Sequence, residues 1–184
     1  MKAIVVTNQA AGTAGMKLVE RPVPQAAIND VVVQIHASGF VGTELTWPST
    51  WTDRLDRDRT PSIPGHELAG VVTALGYGTT GLSLGQRVFG LTDWSRDGTL
   101  AEYAAVEARN LAPLPGDVDF TVGASLPISG LTAWQGLFEH GRLRSPACSA
   151  NGRACNGGPR RGRPDRPGPR ARRPRLGRAR RSRG

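Results

Sequence analysis

The stretch Pro61 to Gly76, PSIPGHELAGVVTALG, decides how the chain is read. Its Pro64-Gly65 pair is a turn signal, and it delivers His66 and Glu67 to the mouth of an apolar run, Leu68 to Leu75. That run has the length and bounds of a buried strand. Polar side chains are therefore expected at the edge of a core. Ahead of the stretch lies a second strand-to-loop passage, HASGFVGTE (His36 to Glu44), and behind it a third, GLTAWQGL (Gly130 to Leu137).

Working outward, short strands accumulate without a long helix. Met1 to Thr7 is a β-branched run, and Met16 to Arg21 (MKLVER) reads as a half-buried strand, with NQAAGTAG between them as a turn. DVVVQIHASG (Asp30 to Gly39) is the most β-branched segment of the chain, a composition that suits a pleated, packed surface. Residues 42–60, with Trp47, Trp51 and the charged DRLDRDR at 53–59, have no sustained period and read as a surface loop or lid with room for a helical turn. GYGTTGLSLGQRVFG and DGTLAEYAAV each bring a glycine turn into a strand. Strands at this spacing predict a compact β-barrel or sandwich. From Asp119 the period lengthens. Phe120, Leu126, Leu131, Trp134, Leu137 and Phe138 are the expected buried positions of helices that Pro127 interrupts and restarts.

Composition divides the chain sharply. The formal charge is +9, but residues 1–144 hold 11 Lys+Arg against 14 Asp+Glu, a net of −3, whereas residues 145–184 hold 13 Arg and one acid, Asp165, a net of +12. Both cysteines, Cys148 and Cys155, fall in the basic part, so the body has no thiol for a disulfide or a thiolate metal site. The start lacks the apolar core of a secretory signal, and no apolar run reaches the roughly eighteen residues of a membrane span. A cytoplasmic protein without membrane contact is the expectation.

Taken together and in order, GFVGTE, PGHELAGVV, LGQRVFG, DGTLAEYAAV and GLTAWQGLFEHGRL resemble the N-terminal, GroES-like catalytic domain of the medium-chain dehydrogenase/reductase superfamily, and its zinc-independent quinone oxidoreductase-like branch in particular. The resemblance covers about residues 1–144. It implies a mainly β fold, a GroES-like barrel with short helices over residues 1–119 and a linking helical segment at 120–144. Intact members add an α/β Rossmann domain that binds NADP or NAD, hold a small-molecule substrate between the two domains, and form homo-oligomers. The implied reaction is hydride transfer to a quinone, enone or carbonyl.

The resemblance also assigns residues. Where zinc members carry a cysteine ligand this chain has Val41, which offers no donor atom, so no metal is expected. His66 matches the second ligand of those members and Glu67 its neighbour; both have bland alternatives, a hydrogen-bonded structural histidine and an acid tying down the turn. Thr43 matches a position that relays a proton from substrate oxygen, or it caps the helical turn after it. Val41, Trp47 and Trp94 are candidate substrate-binding residues, with Trp51 a further loop tryptophan, against the alternative that the loops pack on one another through them. Thr132, near Trp134 on the connecting helix, is the candidate cofactor contact.

Residues 145–184 contain no aromatic or β-branched residue and a single Leu, too little apolar surface to fold, so a disordered basic tail is expected. Its arginines suit non-specific nucleic-acid contact, and a non-enzymatic barrel with such an arm is the alternative function. Cys148 and Cys155 lack the partners of a zinc knuckle. A third reading fits the codons: moved one base forward, Ala150 to Gly157 permits a β-strand, Gln-Thr-Val-Val-Leu-Val-Thr-Gly, and residues 158–163 permit the glycine-rich turn Ala-x-Gly-Gly-Val-Gly. Asn151, Asn156, Cys155 and Asp165 all shift to acceptable residues. On this reading the tail replaces the Rossmann domain out of frame, and the chain is a truncated, inactive half of a reductase.

Overall fold

The β-branched and alternating runs fold into seven strands in the computed structural model, which describes residues 1–143. β1 (Lys2–Val5) pairs antiparallel with β2 (Lys17–Glu20). β3 (Asp30–Gly39), β4 (Glu67–Leu75), β5 (Arg87–Leu91), β6 (Tyr103–Glu107) and β7 (Leu111–Pro113) form a second sheet in the order β6-β3-β4-β5-β7, antiparallel throughout. Short helices fill the connections: 3-10 turns at Gln9–Gly15 and Gly42–Thr46, α1 (Pro48–Trp51), α2 (Phe120–Ala124), and α3 (Pro127–Trp134), which runs on into a π-helical stretch, Gln135–His140.

The two sheets curl into one another. Ile4 N–H donates to the Leu100 carbonyl (2.8 Å) and Glu102 N–H to that of Lys2 (3.0 Å), while Ile35 N–H donates to Glu102 (2.9 Å). Residues 100–102 thus serve β1 and β3 at once, and Val6 pairs with Ser62 at the next corner. This is the barrel-like, mainly β domain that the strand spacing predicts.

β4 is the hub. Leu68 and Val72 join Val31, Val33, Val88 and Val106 in the largest buried cluster, while Ala69 turns the other way, to Leu114 and Ala124. Both faces are covered, which is why the strand reads as continuously apolar. Each fully buried Val or Leu contributes roughly 1.5–3 kcal/mol. Gly70 lets β3 pass close, since a Cβ there would strike the Gln34 carbonyl.

Three expectations are corrected, and one strand is additional. Met16–Arg21 is less buried than its pattern suggests: Leu18 is 69% exposed and only Val19 reaches a cluster, because β2 lies in a two-stranded ribbon. The 42–60 excursion is no mere surface loop, for Glu44, Leu45 and Thr50 are buried. The short β7 carries too little pattern to be foreseen. Pro127 does restart the helix, but Leu126, Leu131, Trp134 and Leu137 are about half exposed (48–52%), because among the described residues no layer covers them. The expected basic tail, with Cys148 and Cys155, lies outside the described residues. Among the described residues no helix is long and apolar enough to cross a membrane.

Candidate active site

Gly65 takes a positive φ of 91°, and the segment around it is clamped: Gly98 N–H donates to Ile63, Leu100 to Pro64 and Thr99 to Gly65. This fixed turn sets His66 at the head of β4. Strand alternation then separates it from its neighbour, because successive side chains leave a strand on opposite sides.

His66 goes to Glu44. Its Nδ1 lies 2.7 Å from Glu44 Oε2, with Glu44 fully buried and His66 2% exposed. The other carboxylate oxygen accepts Val41 N–H (3.1 Å), the Glu44 carbonyl accepts the Thr50 hydroxyl (2.7 Å), and the Thr50 carbonyl accepts that of Ser62 (2.6 Å). The 41–50 segment is thus wrapped around its own acid. Two indoles cover the imidazole: Trp94, centroid 4.5 Å away, and Trp47, 5.5 Å away, which meet edge to face at 5.2 Å. A carboxylate so placed holds the ring orientation and the Nδ1 proton, leaving Nε2 as the atom with chemistry to offer.

Glu67 goes elsewhere. Its Oε1 accepts the N–H of Ile128 (2.7 Å) in the first turn of α3, where a carboxylate suits the positive end of the helix. Gly39 stands opposite it in the β3–β4 register, and a Cβ there would meet the Glu67 carboxylate and, at 2.8 Å, the Ala124 carbonyl. Glu67 thus ties the start of α3 to the head of β4. Thr43 is exposed, and its carbonyl accepts the Thr46 hydroxyl (2.7 Å). Val41 is 52% and Trp94 42% exposed. Trp51 is a packing residue, its indole N–H donating to Leu45 (2.8 Å). Thr132 is exposed on α3.

Beside Trp94 opens a cleft of about 560 Å3, whose mostly apolar walls include Phe89, Leu91, Trp94 and Leu131, with Thr92, Asp93 and Arg109 among its polar members. Its size falls within the range of small-molecule sites. Thr92 N–H donates to the His66 carbonyl (2.9 Å), so the cleft wall abuts the histidine. The Thr92 hydroxyl is buried and has no hydrogen-bond partner among the described residues. A group left that way is expensive, at about 1–3 kcal/mol. Sequence reasoning passed over both Glu44 and Thr92. Glu44 stood inside a quoted motif, GFVGTE; nothing in the pattern marks Thr92.

Residues 27–116 match the alcohol dehydrogenase GroES-like domain. The chain belongs to this family. An L-threonine 3-dehydrogenase from Ruegeria pomeroyi is 33% identical over 138 residues, covering 61% of this chain and 40% of that protein. A quinone oxidoreductase from Rattus norvegicus is 33% identical over 124 residues, covering 67% and 36%. Among solved structures, an alcohol dehydrogenase superfamily protein from Novosphingobium aromaticivorans superposes with a TM-score of 0.67 at 32% identity, covering 79% of this chain and 43% of that one. The chain thus spans about two fifths of the length of the curated relatives it matches. The resemblance to medium-chain dehydrogenases and reductases is confirmed at this level.

The zinc and the dinucleotide that the family implies each require a particular set of donors. A catalytic zinc asks for three protein donors. Here His66 supplies one, Val41 none, and Glu67 is engaged by α3; among the described residues no group of three or more His, Cys, Asp or Glu is placed to hold a metal ion. The donor set does not fit zinc. A dinucleotide asks for a glycine turn that opens a helix, with N–H groups aimed at the pyrophosphate. GYGTTG at 76–81 has the G-x-G-x-x-G spacing and follows β4, yet it leads through turns to β5 and opens no helix. The described residues therefore do not cradle the cofactor's phosphates.

Proposed function

We propose that this GroES-like domain forms the substrate side of a zinc-independent, NAD(P)H-dependent oxidoreductase acting on a quinone, enone or other small carbonyl compound. The observation that carries the reading is the buried Glu44–His66 pair beneath Trp47 and Trp94, set against a largely apolar cleft. The indoles exclude water from the imidazole, Glu44 fixes which ring nitrogen holds a proton, and the cleft receives a flat, weakly polar molecule. Hydride transfer and the choice of NADPH or NADH rest on family membership alone, and the nicotinamide carrier is taken to be held outside the described residues. With Thr43 exposed and Thr132 on α3, both remain available to a bound substrate or cofactor. The proposed setting is the cytoplasm, consistent with a body free of cysteine, and nucleic acid is proposed to bind only non-specifically through residues 145–184.

The test uses the purified 184-residue chain. Duroquinone, whose methyl groups block addition of thiols, is titrated while tryptophan fluorescence is followed, with and without a chelator; oxidation of NADPH and NADH is measured in parallel. Saturable quenching that ignores the chelator, with nicotinamide oxidation near background, is expected. Absence of saturable binding, or activity that the chelator abolishes, overturns the reading.

A further inference from the structure

Resting on that reading, we propose that Thr92 and Trp94 set the substrate preference of the cleft: Trp94 is the platform for a planar ring, and the Thr92 hydroxyl is the hydrogen-bond donor for a ring-borne carbonyl oxygen. Thr92 is 3% exposed, it lines the cleft, and its Oγ1 has no partner among the described residues. Buried hydroxyls are normally paired, so a lone one in the wall of a cavity marks a place where a ligand atom completes the pairing. The oxygen as placed is itself buried, so donation to a ligand in the cleft requires a turn about χ1 between staggered positions. A threonine hydroxyl donates or accepts, and a carbonyl oxygen only accepts, so the bond runs from Thr92 to the ligand.

Trp94 stands two residues on. Its indole makes a tilted contact with the imidazole of His66 (39°) and a T-shaped one with Trp47, yet the residue keeps 42% of its surface open and walls the same cleft. A large ring held by two aromatic neighbours and partly open to a cleft offers a stacking surface, and aromatic pairs favour offset or tilted contact. Phe89, Leu91, Pro127 and Leu131 make most of the remaining wall apolar, with Asp93 and Arg109 as its charged members. The substrate class that fits is a flat conjugated ring bearing a carbonyl, rather than an aliphatic aldehyde.

The full chain is compared with Thr92→Val, Thr92→Ser and Trp94→Leu, using duroquinone and durene, the same methylated ring without oxygens. Thr92→Val is expected to weaken duroquinone binding about five- to tenfold and to leave durene within about twofold, with Thr92→Ser restoring the difference; Trp94→Leu weakens both ligands. Because the hydroxyl has no protein partner among the described residues, Thr92→Val is also expected to keep or raise the thermal midpoint. Equal effects of Thr92→Val on the two ligands, or no effect on either, overturn the assignment while leaving the oxidoreductase reading intact. If the unsubstituted chain binds no duroquinone, both fall. A lowered midpoint in Thr92→Val would show a structural role instead and also overturns it.

Discussion

Glu44 has no exposed surface, and each of its carboxylate oxygens is spoken for, one by Val41 N–H and one by His66. Removing it would strand a buried imidazole under two indoles and leave a hole where the 41–50 segment folds inward. Glu44→Ala is therefore expected to lower unfolding stability by about 2–4 kcal/mol, and Glu44→Gln, which keeps an oxygen for Val41, by roughly half as much. Urea unfolding measures both, and a change in Glu44→Ala below about 0.5 kcal/mol, the range of an ordinary surface substitution, would show that the pair carries no weight in the fold. At this scale the sequence was legible where a turn or a strand end announces a residue: PGHE places His66 and Glu67 at a core edge, and both are there. It was illegible where partners meet across the fold. Glu44 and His66 lie 22 residues apart, and nothing in GTELTWPST separates an acid that folds inward from one that faces water. Alternation along β4 likewise divides His66 from Glu67, a separation their adjacency conceals.

The helices after the barrel show what periodicity does and does not encode. Asp119 caps α2, accepting the Thr121 hydroxyl (2.6 Å) and Thr121 N–H (2.7 Å). These two bonds, the hydroxyl's first, hold the Asp119 carboxyl below its ordinary value. A carboxyl lowered by folding stabilises the fold above its ordinary pKa, near pH 4, and that contribution fades as the pH falls through the lowered value. The gap in urea midpoint between the wild-type chain and Asp119→Ala is therefore expected to be full at neutral pH and to close in acid; a gap that persists undiminished to the most acid pH at which the chain still folds would contradict the cap. Pro127 and the spacing of apolar residues predicted two helices, and two are present. The same spacing predicted burial of Leu126, Leu131, Trp134 and Leu137, which are half exposed. A period states which side of a helix is apolar; whether anything packs there depends on another element. β2 repeats the lesson in a strand, with Leu18 outward although its run looked half buried.

For the molecule as a whole, the total charge of +9 describes neither part: the body is acidic and every excess arginine lies beyond residue 144. Among the described residues, 1–143, three buried clusters form within one compact unit. The slope of unfolding free energy against denaturant follows the surface newly exposed, so it reports which residues belong to the cooperative core. A fragment of residues 1–143 is expected to unfold with the same urea slope and midpoint as the full chain, since the forty residues from Ser145 bring one Leu and no aromatic side chain to any core. A clearly smaller slope in the fragment would show that residues 144–184 bury surface in the fold. The open helical face gives the second reading of the same samples. Leu131, Trp134 and Leu137 present a contiguous apolar strip, and such strips bind hydrophobic dyes and promote association. Fragment and full chain are both expected to bind such a dye, and Leu131→Glu with Leu137→Glu to reduce that binding without moving the midpoint, because neither side chain belongs to a buried cluster. Loss of stability in that double variant would mean that the strip is already covered in solution, and that the barrel's core extends into the helices after Pro127.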